Sequence, residues 1–544
     1  MVYRPSNSRK PNCVTDPPPA SSAARASHAL LQDLHAYIRR NWDRLTRADA
    51  GLLQVAIDPK VPRPDHRWPV YISRHESLTD VIHGLHAHGL PARDLARLDI
   101  RRLPDSGTPL TEHGLLYLPH PYVVPGGRFN EMYGWDSYFL QVGLLRDDRI
   151  ALAKDLVDNF LYQIQHYGHI FNANRTYYLT RSQPPFLTQM VLGVYRRTGD
   201  REWLRQAVPR LERYYRYWTT GDHQTKTGLS RYYDLGDGPA PEVVASERDG
   251  EGRTHYDRAT AYYRTHALKD DDVRPFFDHT TGELTARFYQ GDRAMRESGF
   301  DPSHRFGPFN ADTVSYAPVC LNTLLYVMET DMADILTVLG RMPEATAWQT
   351  HADQRRHQIN ALLWDERDGL YYDYNFTKDE VRRYPFVTTL YPLWAGIADA
   401  AQAKRVVENL HRFEQPGGLQ TSTHESGSQW DAPFGWAPMQ LIAVQGLRRY
   451  GYREEADRIA VKFLALVLKE FITHQTVMEK YDVVRRTSRV VLKDGYPENV
   501  ADFGWTAAVF TELYAALPAE KQREVLRLDG DHTHASSKAG YIRP

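Results

Sequence analysis

The strongest constraint on this chain is the spacing of its apolar residues. In segment after segment they recur at steps of three and four, and strict two-residue alternation is rare. Such spacing lays one face of a helix against a core, whereas a half-buried strand needs a period of two. Leu30, Leu31, Leu34, Tyr37, Ile38, Trp42 and Leu45 open the series. It continues through 150–164, 186–195, 203–218, 321–339, 345–363, 406–413, 439–447, 456–468 and 506–517. The expected fold class is therefore all-α, and a large sheet is not expected. No exact repeat accompanies the helices. Their number, with polar segments between them, suggests paired helices set in a toroid.

Between the helices run long connections, 103–130, 221–310, 365–385, 416–433 and 477–504, which hold most of the Gly, Pro, Trp and Arg. Connections of that length in a compact domain usually carry function. Residues 1–26 are rich in Pro, Ser and Ala and are expected to be disordered, as is the tail 528–544. The span 27–527 is expected to form one catalytic domain.

Composition narrows the function. The 67 basic and 68 acidic side chains leave a net charge of −1, without the basic excess that nucleic-acid binding needs. No run approaches 18 apolar residues, and the N-terminus lacks the apolar core of a signal peptide, so a cytoplasmic protein with no membrane partner is expected. The two cysteines, Cys13 and Cys320, read as free thiols. His83, His86 and His88 are close in sequence but lack an acidic or Cys partner, so no metal site is expected there; they suit a solvated helix face. HExxH, P-loop and GxSxG patterns are absent.

Five segments could carry chemistry. Residues 125–138, PGGRFNEMYGWDSY, set Arg128, Trp135 and Asp136 just after a Gly-Gly turn, a mixture suited to stacking on a pyranose and bonding its hydroxyls. A Gly turn, a capping acid and a core Trp would read the same way. Residues 168–185 bring Asn172, Arg181, Ser182 and Gln183 together before a helix, as a binding loop or as a plain helix cap. In 297–303, Asp301 is a possible proton donor or an ordinary Asp-Pro turn. In 429–438, Trp430 and Trp436 flank Asp431 as a stacking platform or as a loop–helix junction. In 478–482, Glu479 is a possible base, or a solvated acid beside Lys480.

Taken together these segments resemble the trehalase family of glycoside hydrolases. PGGRFNEMYGWDSYF is similar to the family's first signature and QWDAPFGWAP to its second; GHIFNANRTYYLTRSQPPF, ESGFD, EKYD and FGWT follow in family order over roughly 100–515. The resemblance implies an (α/α)6 toroid or barrel with functional loops on one face. It also implies inverting hydrolysis of α,α-trehalose, a small-molecule disaccharide, without a metal or organic cofactor. It makes Asp301 the general acid and Glu479 the general base, and puts Arg128, Trp135, Asp136, Asn172, Arg181, Ser182, Gln183, Glu242, Gly299 and Trp430 at the sugar. Carboxyl groups of such a pair stand about 6.5–9.5 Å apart to admit a water.

Two positions depart from the family pattern. Ala240 stands where a PRPES-like stretch has arginine, and Gly495 where a GEYPLQ-like lid has its acid. These leave open the same mechanism on another α-glucoside or a modified trehalose. A sugar-binding or sensing protein without catalysis is the alternative of another class. Oligomeric state is not legible.

Overall fold

The computed structural model describes residues 22–60, 65–105, 108, 110, 112–246, 248, 251–265, 272–493, 495–496 and 498–526. Cys13, most of the expected N-terminal segment and the whole of the tail lie outside them. Residues 22–26 already belong to the first helix.

Twelve helices form two concentric rings. Six are outer: α1 (Ser22–Leu45), α3 (Ile150–Tyr167), α5 (Arg201–Thr219), α7 (Met342–Leu362), α9 (Ala400–Glu408) and α11 (Arg453–His474). Six are inner: α2 (Gly134–Arg146), α4 (Leu187–Thr198), α6 (Val319–Val338), α8 (Tyr391–Ala395), α10 (Ala437–Arg449) and α12 (Gly504–Ala516). Each inner helix packs on the next, α2 on α4, α4 on α6, α6 on α8, α8 on α10 and α10 on α12, and α12 closes the ring against α2. This is the (α/α)6 toroid.

Side-chain patterning explains the two rings. Outer helices have one dry face: Leu31, Leu34, Ile38, Trp42 and Leu45 of α1 are buried while Gln32, Asp33, Arg39 and Arg40 are exposed. Inner helices are dry nearly all round, as a helix enclosed by others must be; every residue of α6 from Val319 to Glu329 is buried. Where α2 crosses α12, a Cβ on Gly143 would lie 2.7 Å from that of Ala508 and 2.8 Å from the Trp42 ring. Gly143 thereby sets how closely the ring can close.

Small sheets decorate the toroid. β1 (Trp68–Ile72) lies between β2 (Leu98–Arg102) and β3 (Leu115–Leu116), all parallel. β4 (Phe434–Trp436) pairs antiparallel with β5 (Lys480–Asp482) and sets Trp436 opposite Lys480. The connection 221–310 is not a plain polar loop, because it contains helices Pro241–Ser246, His255–Thr265 and Ala286–Glu297. Among the described residues no helix is long and apolar enough to cross a membrane.

Candidate active site

The connections that enter the inner helices converge on one cavity. Its walls include Arg128, Trp135, Asp136, Asn172, Arg181, Gln183, Glu242, Gly299, Asp301, Trp430 and Glu479. Eleven of the twelve residues expected from sequence are thus brought together. The twelfth, Ser182, stands behind the wall: its amide donates to Glu297 Oε1 (3.0 Å) and its hydroxyl lies 3.1 Å from that of Tyr214.

Glycines shape the first wall. Gly126 (φ +130°) and Gly127 (φ +53°) let the loop lie on 500–503, where a Cβ on Gly126 would come within 2.5 Å of the Asp502 carbonyl. Arg128 then reaches the Tyr496 ring, 4.2 Å from its centroid. Gly299 (φ +74°) has no room for a side chain either, since its Cβ would sit 2.9 Å from the Trp135 indole. Trp135 is held by its own amide, which donates to Gln183 Oε1 (3.0 Å).

Indoles form a continuous aromatic surface. Trp430 stacks on Trp436 at 3.9 Å and 4°, Trp135 tilts against Trp430 at 5.7 Å, and Trp505 meets Trp135 and Trp436 edge-on. Aromatic faces of this kind suit the C–H faces of a sugar.

The carboxyl groups sit in different surroundings. Glu479 is buried immediately before β5; Lys480 Nζ donates to its Oε2 (2.9 Å) and the Tyr496 hydroxyl to its Oε1. Asp301 is more open, with its side chain 34% exposed and Arg296 Nη1 at 3.9 Å. Its loop is tied to the Trp430 loop, where Trp430 N donates to Pro302 O (3.1 Å). Asp431, expected beside the indoles, instead fastens these two loops by accepting from His304 N and from the Tyr384 hydroxyl (both 2.8 Å).

Asp136, in the first turn of α2, is buried. Its carboxyl is pushed up to about 8 by burial first and then by the charges of Glu479 and Asp301. Unfolded chains ionise such a group near the ordinary 3.8, so the folded state alone keeps the proton between there and about 8, and stability falls as pH rises across that window. We expect Asp136→Asn to raise stability at pH 8 by on the order of 2–4 kcal/mol relative to wild type, with little gain near pH 4. Thermal unfolding of both proteins at the two pH values measures this.

Arginines complete the wall. Arg181 donates to Glu242 Oε1 (2.5 Å), Asp234 Oδ2 (3.3 Å) and Asn172 Oδ1 (3.3 Å). Burial works against the Glu242 charge, but Arg181 and Arg296 overcome it and hold that carboxyl below its ordinary range. Ala240 is buried among Val243, Tyr256 and Phe288, away from the cavity. Arg296 supplies a guanidinium on the wall instead, pinned by Asp292 (3.1 and 3.3 Å), which itself bonds His255 (3.0 Å) and the Tyr256 hydroxyl (2.9 Å). Gly495 places no acid in the cavity, and Glu498 lines the adjoining hollow rather than this one.

Sequence reasoning missed Lys60, Tyr133, Tyr178, Arg296, Gln429, Tyr496 and Phe503 on the wall and did not assign a role to Trp505, whereas Trp436, read with Trp430 as a stacking platform, does line it. Arg296 precedes Asp301 by one turn and a bend, which was a usable signal. Nothing in the local sequence marks Lys60, which arrives because Arg175 clamps the N-terminal segment through the carbonyls of Ala56 (3.0 Å) and Val55 (2.7 Å). Among the described residues no three His, Cys, Asp or Glu side chains group as metal ligands. His83, His86 and His88 are exposed, and His88 pairs with Asp49 at 2.7 Å. Cys320 is buried and free.

Comparison with known proteins gives the following similarities. Residues 71–517 match the trehalase family. The chain is 37% identical over 514 residues to a cytosolic neutral trehalase of Neurospora crassa, covering 82% of this chain and 66% of that protein. It is 38% identical over 456 residues to one from Emericella nidulans, covering 74% and 58%. A solved neutral trehalase from Saccharomyces cerevisiae superposes with a TM-score of 0.76 at 30% identity, covering 92% of this chain and 96% of that one. The chain spans between about half and two thirds of the length of the curated relatives it matches.

Proposed function

The chain belongs to the trehalase family, and on that footing we propose that it is an inverting glycosidase that hydrolyses α,α-trehalose to two molecules of glucose. The reading rests on one observation: Asp301 and Glu479 line a single indole-floored cavity, and the buried carboxyl of Asp136 feels the charge of both.

In this mechanism Asp301 gives its proton to the bridging oxygen as the bond from that oxygen to one anomeric carbon breaks. Glu479 takes a proton from a water whose oxygen bonds to the same carbon from the opposite face. One proton is given and one taken, so the acid and the base finish with their protonation states exchanged and reset through solvent. The Lys480 ammonium donates to Glu479 Oε2 (2.9 Å) and orients the carboxylate. Arg128, Asn172, Arg181, Gln183, Glu242 and Arg296 supply donors and acceptors for hydroxyls, and the Trp135, Trp430, Trp436 and Trp505 indoles supply stacking faces. Arg296 offsets the arginine that Ala240 lacks, which supports trehalose over a different α-glucoside. The reaction is assigned to the cytoplasm, a reading supported by the cytosolic naming of the curated relatives. No metal or organic cofactor enters it.

Purified protein incubated with trehalose should release glucose, and proton NMR of the first turnovers should show one α- and one β-glucose per disaccharide. Two α products would replace inversion by retention. Release from maltose, nigerose or kojibiose but not from trehalose would change the substrate, and tight binding without release would make the chain a sugar sensor.

A further inference from the structure

The base does not hold its position alone. Both Glu479 oxygens accept a hydrogen bond, Oε2 from Lys480 Nζ at 2.9 Å and Oε1 from the phenol of Tyr496. Tyr496 arrives from a different part of the chain. Asn499 ties its loop to β5, donating from Nδ2 to the carbonyls of Lys480 and Ser488 (both 2.8 Å), and Glu479 N donates to Val500 O (2.9 Å). Two cations lie against the Tyr496 ring, the Arg128 guanidinium at 4.2 Å and Lys480 Nζ at 3.9 Å from its centroid. Cations at the ring face draw electron density from the phenol and strengthen its O–H as a donor.

We propose that Tyr496 is a positioning residue for the reaction, one arm of a two-donor clamp that fixes the Glu479 carboxylate. The inference rests on the reading of Glu479 as the base. A carboxylate oxygen has room for two hydrogen bonds, so a clamped Oε1 still accepts from the attacking water. The clamp restricts which way that lone pair points. Burial, and then the Glu479 charge, keep the phenol protonated, so it remains a donor throughout the range in which the base works. A hydrogen bond made to the charged form lowers the pKa of an acid, and its loss raises it.

Tyr496→Phe keeps the ring under Arg128 and removes the hydroxyl. Two measurements test the clamp in the full chain. The first is a pH titration of the carboxylate infrared band of Glu479, isolated as the difference between each protein and its own Glu479→Gln derivative. The midpoint should rise by about one pH unit in Tyr496→Phe. An unchanged midpoint in a variant with wild-type thermal unfolding overturns the clamp, whether or not the protein turns trehalose over. The second is the pH profile of kcat/KM for trehalose, whose acid limb should shift upward by the same amount while KM changes less than kcat. Replacing Tyr496 with 3-fluorotyrosine, a stronger donor, should move the limb the other way; a shift in the same direction as for phenylalanine counts against the clamp. An infrared midpoint that moves while the kinetic limb stays fixed leaves the clamp standing and overturns Glu479 as the base.

Discussion

Asp301→Asn should lower kcat on trehalose by about three orders of magnitude while leaving the fold intact, within the 10²–10⁴ that a general acid commonly supplies. The leaving group explains the size of the effect. A sugar hydroxyl departs as a poor alkoxide unless it is protonated as the bond breaks, and among the carboxyl groups on the cavity wall Asp301 is the one on an open loop. With its side chain 34% exposed, the change to an isosteric amide removes no buried packing. The loop itself is held from elsewhere, by Trp430 N on the Pro302 carbonyl and by Asp431 on His304 N. The control is α-glucosyl fluoride, whose fluoride leaves without a proton. Its hydrolysis by the variant should stay within about tenfold of wild type, as expected when only proton donation is lost. Equal losses on both substrates would mean that Asp301 positions the sugar rather than protonating the bond.

Glu479→Ala should cost as much, about 10³-fold in kcat on trehalose, and should answer to chemical rescue. Removing the carboxylate leaves a void on the side from which water attacks. Azide, which needs no base to become a nucleophile, should restore fluoride release from α-glucosyl fluoride, forming β-glucosyl azide, the inverted product, as the C–F bond breaks. α-Glucosyl azide would show attack from the other face. The same change strips Lys480 of its counter-charge. Lys480 is fully buried, and burial already draws its ammonium below the ordinary lysine range. Breaking a buried pair by removing one partner commonly destabilises by about 3–5 kcal/mol. The melting temperature of Glu479→Ala should therefore fall where that of Asp301→Asn does not, which separates the two carboxylates by environment as well as by role.

The helical rings were legible because amphipathic spacing reports burial directly, and outer helices such as α1 have one wet and one dry face. The same rule hid other elements. The helix Ala286–Glu297 buries Asp292, Arg293, Arg296 and Glu297 along with its apolar residues, so charged side chains stand on the inward side where a core-facing helix is expected to be apolar. Arg296 was lost with it. β1 is buried at every position and shows no alternation. Ser182 misled for a geometric reason: in extended chain, neighbours face opposite ways, so Arg181 and Gln183 enter the cavity and Ser182 turns to Glu297 and Tyr214. The cavity's motif residues were legible because each lies beside a turn, a Gly or an aromatic that the local sequence displays. Lys60 and Tyr496 depend on tertiary clamps through Arg175 and Asn499, which no short stretch of sequence encodes.

The seam between α2 and α12 joins the earliest inner helix of the chain to the latest. Synthesis proceeds from one side of that seam to the other, so a nascent polypeptide carries the uncovered flank of α2, with Gly143 and its neighbours, until more than 350 further residues have left the ribosome. Long-separated contacts of this kind form late and slowly. Closure of the ring thus waits on α12, and a product terminated before it leaves the inner flank of α2 without its partner.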